Sequence, residues 1–198
     1  VFRDGILMGS SQMVIPLNVS RSSNFIGKSN WFGDSLYQGY MDEVKIYNIA
    51  KTKDEIQRMY NEGLEYRSSR IGSTINDGLV SYWKMDETSG SVVEDSIGTN
   101  NGTATGTTIV DGKVNKGRSF NGTSDYITLP SGFSDFTKGL TVSLWAKPTS
   151  NASYARFIDF GEVSERTSTN IGFTRVGTSN NLRLQIGNGS TMLTLDAI

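Results

Sequence analysis

The acidic residues of this 198-residue sequence do not show the spacing of a sugar-cleaving site. A carboxylate-based glycoside hydrolase needs two carboxyl groups about 5 Å apart in one cleft, which acidic residues at alternating strand positions can supply. Asp42 and Glu43 are sequential on a predicted strand and should face opposite sides of it. The absence of Cys and His also excludes Ser-His-Asp and Cys-His nucleophiles and the usual zinc and haem ligands. We therefore expect no enzyme.

One loop has the oxygen-rich composition of a calcium site. Residues 95–102 carry the Asp95 carboxylate, the Asn100 and Asn101 amides, and two glycines that allow backbone carbonyls to be exposed. Calcium prefers hard oxygen ligands of this kind. The same composition is also typical of an Asx-turn loop whose side chains cap their own backbone. Both interpretations stay open from the residues alone.

Two further stretches combine aromatic rings with polar groups, as glycan-binding surfaces do. Trp31 and Tyr37 lie in a segment rich in Gly, Ser and Asn, and Tyr154 and Arg156 lie in a second polar segment. Exposed rings stack on the CH faces of sugars, and neighbouring polar groups hydrogen-bond the hydroxyls. The alternative for Trp31 is packing at the edge of the fold under a helix.

Composition restricts the partners. Lys and Arg total 19 against 20 Asp and Glu, so the net charge is -1 and no basic field attracts a phosphate backbone. Apolar runs are a few residues long, far below the roughly 20 that cross a bilayer, and no signal-peptide pattern opens the chain. We expect neither nucleic-acid binding nor membrane insertion. Because the chain begins at Val1 inside a strand-like run, we interpret its start as a boundary made by processing or by design.

The elements that position these residues are predicted to be β-strands almost throughout. Short alternating or β-branched runs are separated by Asp-Gly and Asn-Gly dipeptides, which tolerate the positive φ of tight hairpins. This pattern predicts an all-β antiparallel sandwich in which Trp83 and Trp145 are core residues. The predicted strands are Met13–Val19, Asn24–Gly27, Gln38–Tyr47, Leu79–Met85, Gly117–Phe120, Tyr126–Leu129, Leu140–Lys147, Arg156–Phe160, Asn170–Val176, Leu182–Ile186 and Met192–Leu195.

A single short helix is predicted at Thr52–Gly63. Thr52 and Glu55 have the spacing of a capping box, and Ile56, Met59 and Tyr60 fall on one face. We expect that face to pack on the sandwich and Gly63 to end the helix in the left-handed conformation. The polar stretch 64–77 that follows is predicted to be a linker.

Several motifs resemble the laminin G-like domains of the concanavalin A-like lectin/glucanase superfamily. Residues 39–63, which include Asp42-Glu43-Val44, are similar to the closing strand and terminal helix of such domains. Residues 78–103 are similar to their opening, and the resemblance continues through 117–122, 125–127 and 140–148. It implies a concanavalin A-like jelly roll, and it suggests that Asp42 and Glu43 join the Asp95 loop as calcium ligands.

The order of these motifs is inverted, because the closing motif precedes the opening one. We expect residues 1–63 to be the closing half of one laminin G-like repeat, 64–77 a linker, and 78–198 the opening half of the next. Joined in family order, the halves make about one domain that lacks roughly one strand. They either fold together as a pseudo-permuted sandwich or complete halves of another copy, and a missing strand leaves an open edge.

The resemblance and the site residues predict a non-catalytic recognition or adhesion module, extracellular or at the cell surface. It would bind a glycan or a cell-surface protein, and it would stand beside other repeats of a tandem array. A structural spacer without a ligand is the alternative from another class, and a carboxylate-based glycoside hydrolase is the third.

Overall fold

In the computed structural model, residues 1–64, 74–132, 135–162 and 169–197 are described. Helix α1 spans Lys53–Leu64, and a 3₁₀ turn covers Thr74–Asn76. The strands before α1 are β1 (Phe2–Arg3), β2 (Ile6–Leu7), β3 (Ser23–Ile26) and β4 (Gln38–Tyr47). The later strands are β5 (Leu79–Trp83), β6 (Val92–Val93), β7 (Gly102–Thr105), β8 (Thr108–Asp111), β9 (Lys116–Asn121), β10 (Tyr126–Leu129), β11 (Thr141–Pro148), β12 (Arg156–Gly161), β13 (Ile171–Arg175), β14 (Leu182–Gly187) and β15 (Met192–Ala197).

Two antiparallel sheets form the sandwich. The larger has the order β15-β14-β13-β12-β3-β10-β7-β6, and the smaller has the order β11-β4-β9-β8, with β5 also pairing β4. Strands β1 and β2 form a separate hairpin whose turn residues Asp4 and Gly5 both have positive φ, 53° and 75°. The predicted fold class, an all-β antiparallel sandwich with a short helix, is confirmed.

Each sheet has one strand from residues 1–63 inserted between strands from residues 78–198. β3 lies between β10 and β12, and β4 lies between β11 and β9. Val44 of β4 is the cross-strand partner of Trp83 of β5, so the closing-motif and opening-motif strands share a sheet as expected. Most of the predicted linker, residues 65–73, lies outside the described residues.

The core lies between the sheets and includes side chains from both. Val44, Ile46 and Trp83 of the smaller sheet and Ile127 and Ile158 of the larger sheet have no exposed surface. The prediction that Trp83 is a core residue is therefore confirmed.

The prediction that Trp145 is a core residue is wrong. Its side chain is half-buried, and its ring lies 5.5 Å from the Tyr60 ring of α1. Two neighbouring positions of the same strand, Val142 and Leu144, pack against the core. Trp145 therefore lies on the outer face of β11, under the helix.

The start of α1 is built as predicted. The Thr52 amide donates to Glu55 Oε2 at 2.8 Å, and the Glu55 amide donates to Thr52 Oγ1 at 3.3 Å, which is a complete capping box. The predicted end is wrong, because the helix continues through Gly63 to Leu64. A Cβ at Gly63 would lie 3.0 Å from the Trp145 ring, so glycine here allows close helix-strand contact.

Removing the cap gives a small, measurable effect. We expect Thr52→Ala to lower the free energy of unfolding by about 1 kcal/mol, because the amide of Glu55 loses its acceptor. Thr52→Ser keeps the hydroxyl and should stay within about 0.5 kcal/mol of the wild type. Urea denaturation followed by circular dichroism measures both, and equal losses in the two variants would contradict the capping role.

One predicted strand is absent, since 13–19 forms no strand in the structure. Pro16 in the middle of this run has no amide hydrogen and cannot pair within a sheet. Ile15 and Leu17 beside it are 58% and 38% exposed, so the alternation of the run does not correspond to a buried face. The short strands β6, β7 and β8 were not predicted, because β6 has only two residues and the Gly and Thr content of β7 and β8 resembles loop sequence.

Candidate functional site

The two predicted ligand-binding segments meet at one end of the sandwich. The first is the connection between β3 and β4, and the second is the connection between β11 and β12. The Ser35 amide of the first donates to the Ser153 carbonyl of the second at 3.2 Å. The fold therefore brings together segments that are more than 100 positions apart in the sequence.

Besides the buried Tyr37, three aromatic residues lie on these segments, and we call them the aromatic end: Trp31, Phe32 and Tyr154. Phe32 is 98% exposed, Trp31 is half-buried, and Tyr154 is 38% exposed. An apolar ring with almost all of its surface in water gains nothing from folding. Phe32 therefore requires an explanation outside the stability of the fold.

Arg156 lies beneath the aromatic end, so the prediction that it binds the ligand is wrong. Its side chain is 2% exposed, and its guanidinium carbon lies 5.4 Å from the centre of the Trp31 ring. Nη2 is 3.1 Å from Asp34 Oδ2, Nε is 3.5 Å from Asp159 Oδ2, and Nη1 donates to the Gln185 side chain. Because its donors bind within the protein, Arg156 supports Trp31 from below and does not face a ligand.

Asp159 is the buried anion of this cluster. It is 1% exposed, and its Oδ1 accepts from the Asn30 side-chain amide at 2.9 Å. Burial raises the pKa of Asp159, while Arg156 and the hydrogen bonds from Asn30 and Ser29 oppose that rise. The cluster ties the β3–β4 connection to β12 and so fixes the position of Trp31.

The prediction that Tyr37 is a ligand-binding residue is also wrong. It is 1% exposed, its ring contacts Phe120 at 5.7 Å and Phe157 at 5.4 Å, and its hydroxyl donates to the Tyr40 carbonyl. Burial raises its pKa strongly. Tyr37 is a core residue with no ring face available to a ligand.

Tyr154 is held in an unusual backbone conformation. Its φ of 53° is in the left-handed region that favours glycine. The Arg183 guanidinium lies 5.8 Å from its ring centre and is itself fixed by Asp196 at 2.6 and 2.7 Å. Such local strain is typical of positions that must present a side chain in one direction.

The Asp95 loop does not fit the predicted calcium site. Asp95 Oδ1 accepts from the Tyr82 and Ile97 amides at 2.9 and 3.1 Å, and Oδ2 accepts from the Asn100 amide at 3.2 Å. The Asn100 side chain donates to Ser81 Oγ, and the Asn100 backbone carbonyl accepts from Trp83 Nε1. The carboxylate thus faces backbone hydrogens, as in a self-capped loop.

Asp42 and Glu43 lie where β4 is irregular. The register of β4 on β11 shifts here, and Glu43 has a φ of 55°, which breaks the strict alternation of faces. Both are buried. The residue before this pair and the residue after it both belong to the core, so the faces do not alternate here and the expectation that Asp42 and Glu43 face opposite sides is wrong. Asp42 Oδ2 accepts from the Val114 amide at 2.8 Å, and Tyr82 donates to Glu43.

The four predicted metal residues are not assembled as a calcium site. Across 1–64, 74–132, 135–162 and 169–197, no three acidic side chains come together in a way that holds a metal ion. Asp42 Oδ1 is buried without a partner, but the neighbouring Oδ2 binds an amide hydrogen. Calcium is therefore not part of the function proposed below.

Asp42 gives a pH test. Burial, reinforced by the charge of Glu43, raises its pKa to about 7, against about 4 for a free aspartate. The folded protein then keeps a proton that the unfolded chain releases, so the Asp42 contribution to stability falls as the pH rises from about 4 to 7. The quantity to follow is the free energy of unfolding of the wild type minus that of Asp42→Asn. We expect this difference to decrease across this window and to level off above it.

Asp95→Asn is the matched control for the Asp42 measurement. The pKa of Asp95 is lowered through its amide hydrogen bonds despite burial, so its stabilisation is lost only as the pH falls below the usual aspartate range. The Asp95 variant should therefore keep the wild-type slope between about pH 4 and 7. A flat Asp42 difference would mean that the pKa of this carboxylate is not raised, and a difference abolished by millimolar calcium would mean that the carboxylate binds the cation.

Sequence reasoning missed Phe32 and the buried anion Asp159. The sequence places Phe32 directly before Gly33, in the same Gly-, Ser- and Asn-rich segment as Trp31, and that position is the signal for it. Asp159 has no such signal, because residues three apart on a regular strand face opposite sides. Arg156 meets Asp159 through an irregularity in β12, and Asn30 reaches it through the pairing of β3 with β12.

No helix within the described part of the chain is long and apolar enough to cross a membrane.

Comparison with known proteins gives one family match. The laminin G-like family model described as "Concanavalin A-like lectin/glucanases superfamily" matches residues 1–57 and 121–196. No curated protein and no solved structure matches the sequence significantly. The match in two separate segments covers more than half of the chain and confirms the resemblance seen in the motifs. The chain therefore belongs to the laminin G-like family of the concanavalin A-like lectin/glucanase superfamily.

Proposed function

We propose that this domain is a non-catalytic recognition module that binds glycans through the aromatic end. The observation that carries the proposal is the 98% exposed ring of Phe32 beside the supported ring of Trp31. Stacking on the CH faces of a sugar ring needs apolar rings that are exposed and held still. The superfamily includes lectins, which is consistent with carbohydrate as the ligand class.

The rigidity of the aromatic end supports this use. Trp31 rests on Arg156, which is held by the carboxylates of Asp34 and Asp159. A ring fixed in this way loses little conformational entropy when a ligand binds, so more of the contact energy contributes to affinity. The cluster uses the side-chain amide hydrogens of Asn30 and one oxygen of Asp34, which leaves Oδ1 of each residue to accept from sugar hydroxyls.

The acidic residues support a non-catalytic role. Asp42 and Glu43 are buried, and Asp95 binds backbone amides, so these carboxylates do not form a pair across an open cleft. A lectin-like module with exposed recognition loops suits an extracellular or cell-surface protein, where it would meet glycans or cell-surface proteins. Adhesion is the role that this location implies.

We also propose that the chain is a phase-shifted repeat of a tandem array. The family model matches an N-terminal and a C-terminal segment, and each sheet contains strands from both. Gly9, whose carbonyl accepts from the Val1 ammonium at 2.8 Å, lies against Ala197. Positions near the two sequence ends are thus neighbours in space, as a pseudo-permuted sandwich requires.

Glycan-array screening of the purified chain tests the ligand class. A sugar selected on the array is then titrated calorimetrically into wild type, Phe32→Ala and Trp31→Ala. We expect about tenfold weaker binding for each variant, because central aromatic contacts typically contribute more than 1 kcal/mol. Ile97→Ala is the control, since Ile97 is 53% exposed in the loop between β6 and β7, outside both segments of the aromatic end, and should leave the affinity unchanged.

Two outcomes would overturn the glycan proposal. If no glycan on the array binds, the structural spacer becomes the better account of the domain. If a glycan binds with equal affinity to wild type and to both aromatic variants, the binding site lies elsewhere on the sandwich.

A further inference from the structure

A cavity of 540 Å³ runs along the free edge of β11. Every residue from 140 to 146 lines it. Successive side chains of a strand point to opposite faces, so an unbroken run can line a cavity only when the cavity follows the edge of the strand. In the described part of the chain β11 pairs with β4 alone and is the last strand of its sheet, so about half of its amides and carbonyls point into this space.

The two walls of this edge cavity are apolar and come from opposite sides. Phe173, Leu182 and Leu184 of the larger sheet form the inner wall, and all three are half-buried. Met59 and Tyr60 of α1 form the outer wall. A strand placed beside β11 would therefore be covered on both of its faces, which is typical of interior strands.

The charged residues of the edge cavity are mostly basic. Arg3, Lys51 and Arg175 line it, against the carboxylate of Asp4, and Lys51 is itself paired with Glu55 at 3.6 Å. Arg175 donates to the carbonyl of Ser150 and to other uncharged oxygens, so these bonds leave its positive charge uncompensated. Charge complementarity favours an occupant with acidic residues at its ends.

We propose that this edge cavity takes an extended segment of another polypeptide, which pairs with β11 as an added strand. The segment has apolar side chains along its centre, to meet both walls, and acidic residues at its ends. Main-chain hydrogen bonds to β11 supply affinity, and the apolar walls and basic rim supply selectivity. This binding site is separate from the aromatic end and does not depend on glycan recognition.

The test uses a fluorescein-labelled synthetic peptide of eight residues, with Val and Ile in the centre, to meet both walls, and Glu at both ends. We expect saturable binding by fluorescence anisotropy, and slower hydrogen exchange at the β11 amides when the peptide is bound. A matched peptide with Pro at two central positions cannot pair and should not bind. Binding of the first peptide should weaken as salt is raised, because the basic rim is screened.

Leu184→Asp places a negative charge on the inner wall of the edge cavity and should weaken peptide binding at least tenfold. Ile97→Asp is the matched control, because Ile97 is 53% exposed and does not line the cavity, and it should bind as the wild type does. The exchange measurement on the wild type keeps the test valid if Leu184→Asp fails to fold.

Three results would overturn the proposal. The first is an absence of binding at millimolar peptide, and the second is equal binding of the proline peptide. The third is protection of β11 that rises with protein concentration without peptide, which would identify the cavity as an interface between copies of this chain.

Discussion

Arg156→Ala should destabilise the domain by about 3–5 kcal/mol, because it leaves the buried carboxylate of Asp159 without its cation. Burial already raises the pKa of Asp159, and Arg156 is the strongest of the groups that oppose this rise. Without Arg156, protonation is the remaining way to neutralise the carboxylate, so the variant should recover part of its stability at acidic pH. Urea denaturation at several pH values measures both effects.

A double-mutant cycle separates the ion pair from simple loss of volume. In the Asp159→Asn background, where no buried charge is left unpaired, Arg156→Ala should cost much less than in the wild type. Equal costs in the two backgrounds would contradict the ion-pair explanation. Because Arg156 also lies 5.4 Å from the Trp31 ring, the single variant should lose glycan affinity at a pH where it is still folded.

Trp83→Ala should have a similarly large effect, about 3–5 kcal/mol, through the cavity that it leaves. Trp83 has no exposed surface, and its Nε1 donates to the Asn100 carbonyl at 2.8 Å. It also pairs with Val44 of β4 and bridges to Asp95, so its loss loosens both the core and the Asp95 loop. The measurement is chemical denaturation followed by far-UV circular dichroism, which does not depend on tryptophan fluorescence.

Trp31→Ala is the matched control, since it removes the same side chain from a half-buried loop position. It should cost about 1 kcal/mol or less, because most of the cavity term is missing there. If Trp83→Ala does not fold, Trp83→Phe supplies the number, with an expected loss of about 1–3 kcal/mol from the unpaired Asn100 carbonyl. Similar costs for Trp31→Ala and Trp83→Ala would show that Trp83 is not the central core residue.

Local patterns in the sequence predict most of the fold. The predicted bounds of β4 and β10 agree with the structure, because both strands have clear apolar alternation. Thr52 and Glu55 predict the helix start because a capping box is a contact over three residues. The failure at Pro16 comes from following alternation without allowing for a residue that cannot pair.

The candidate site could be predicted only in outline. Aromatic residues in polar loops mark Trp31 and Tyr154, and the structure brings their segments together through Ser35 and Ser153. The sequence could not show that Arg156 lies beneath Trp31. Its burial results from the pairing of β12 with β3, a contact between positions more than 100 residues apart.

The calcium prediction depended on composition alone. An oxygen-rich loop such as 95–102 can bind either a cation or its own amide hydrogens, and composition is the same in both cases. Geometry distinguishes them at Asp95, where three backbone amides surround the carboxylate.

A single sandwich formed within one chain by residues 1–63 and 78–198 can be tested directly with an engineered disulfide. Tyr40 of β4 and Lys147 of β11 are exposed cross-strand partners, and the chain has no cysteine of its own. Antiparallel partners have Cα atoms about 4.5–5.5 Å apart, within the range of a disulfide. Tyr40→Cys with Lys147→Cys is oxidised at micromolar concentration and analysed by non-reducing electrophoresis and peptide mapping, with Tyr40→Cys and Ile97→Cys as the unpaired control. We expect a monomer with an internal disulfide. Disulfide-linked dimers would show instead that the two halves pair between chains and that one chain does not form the sandwich alone.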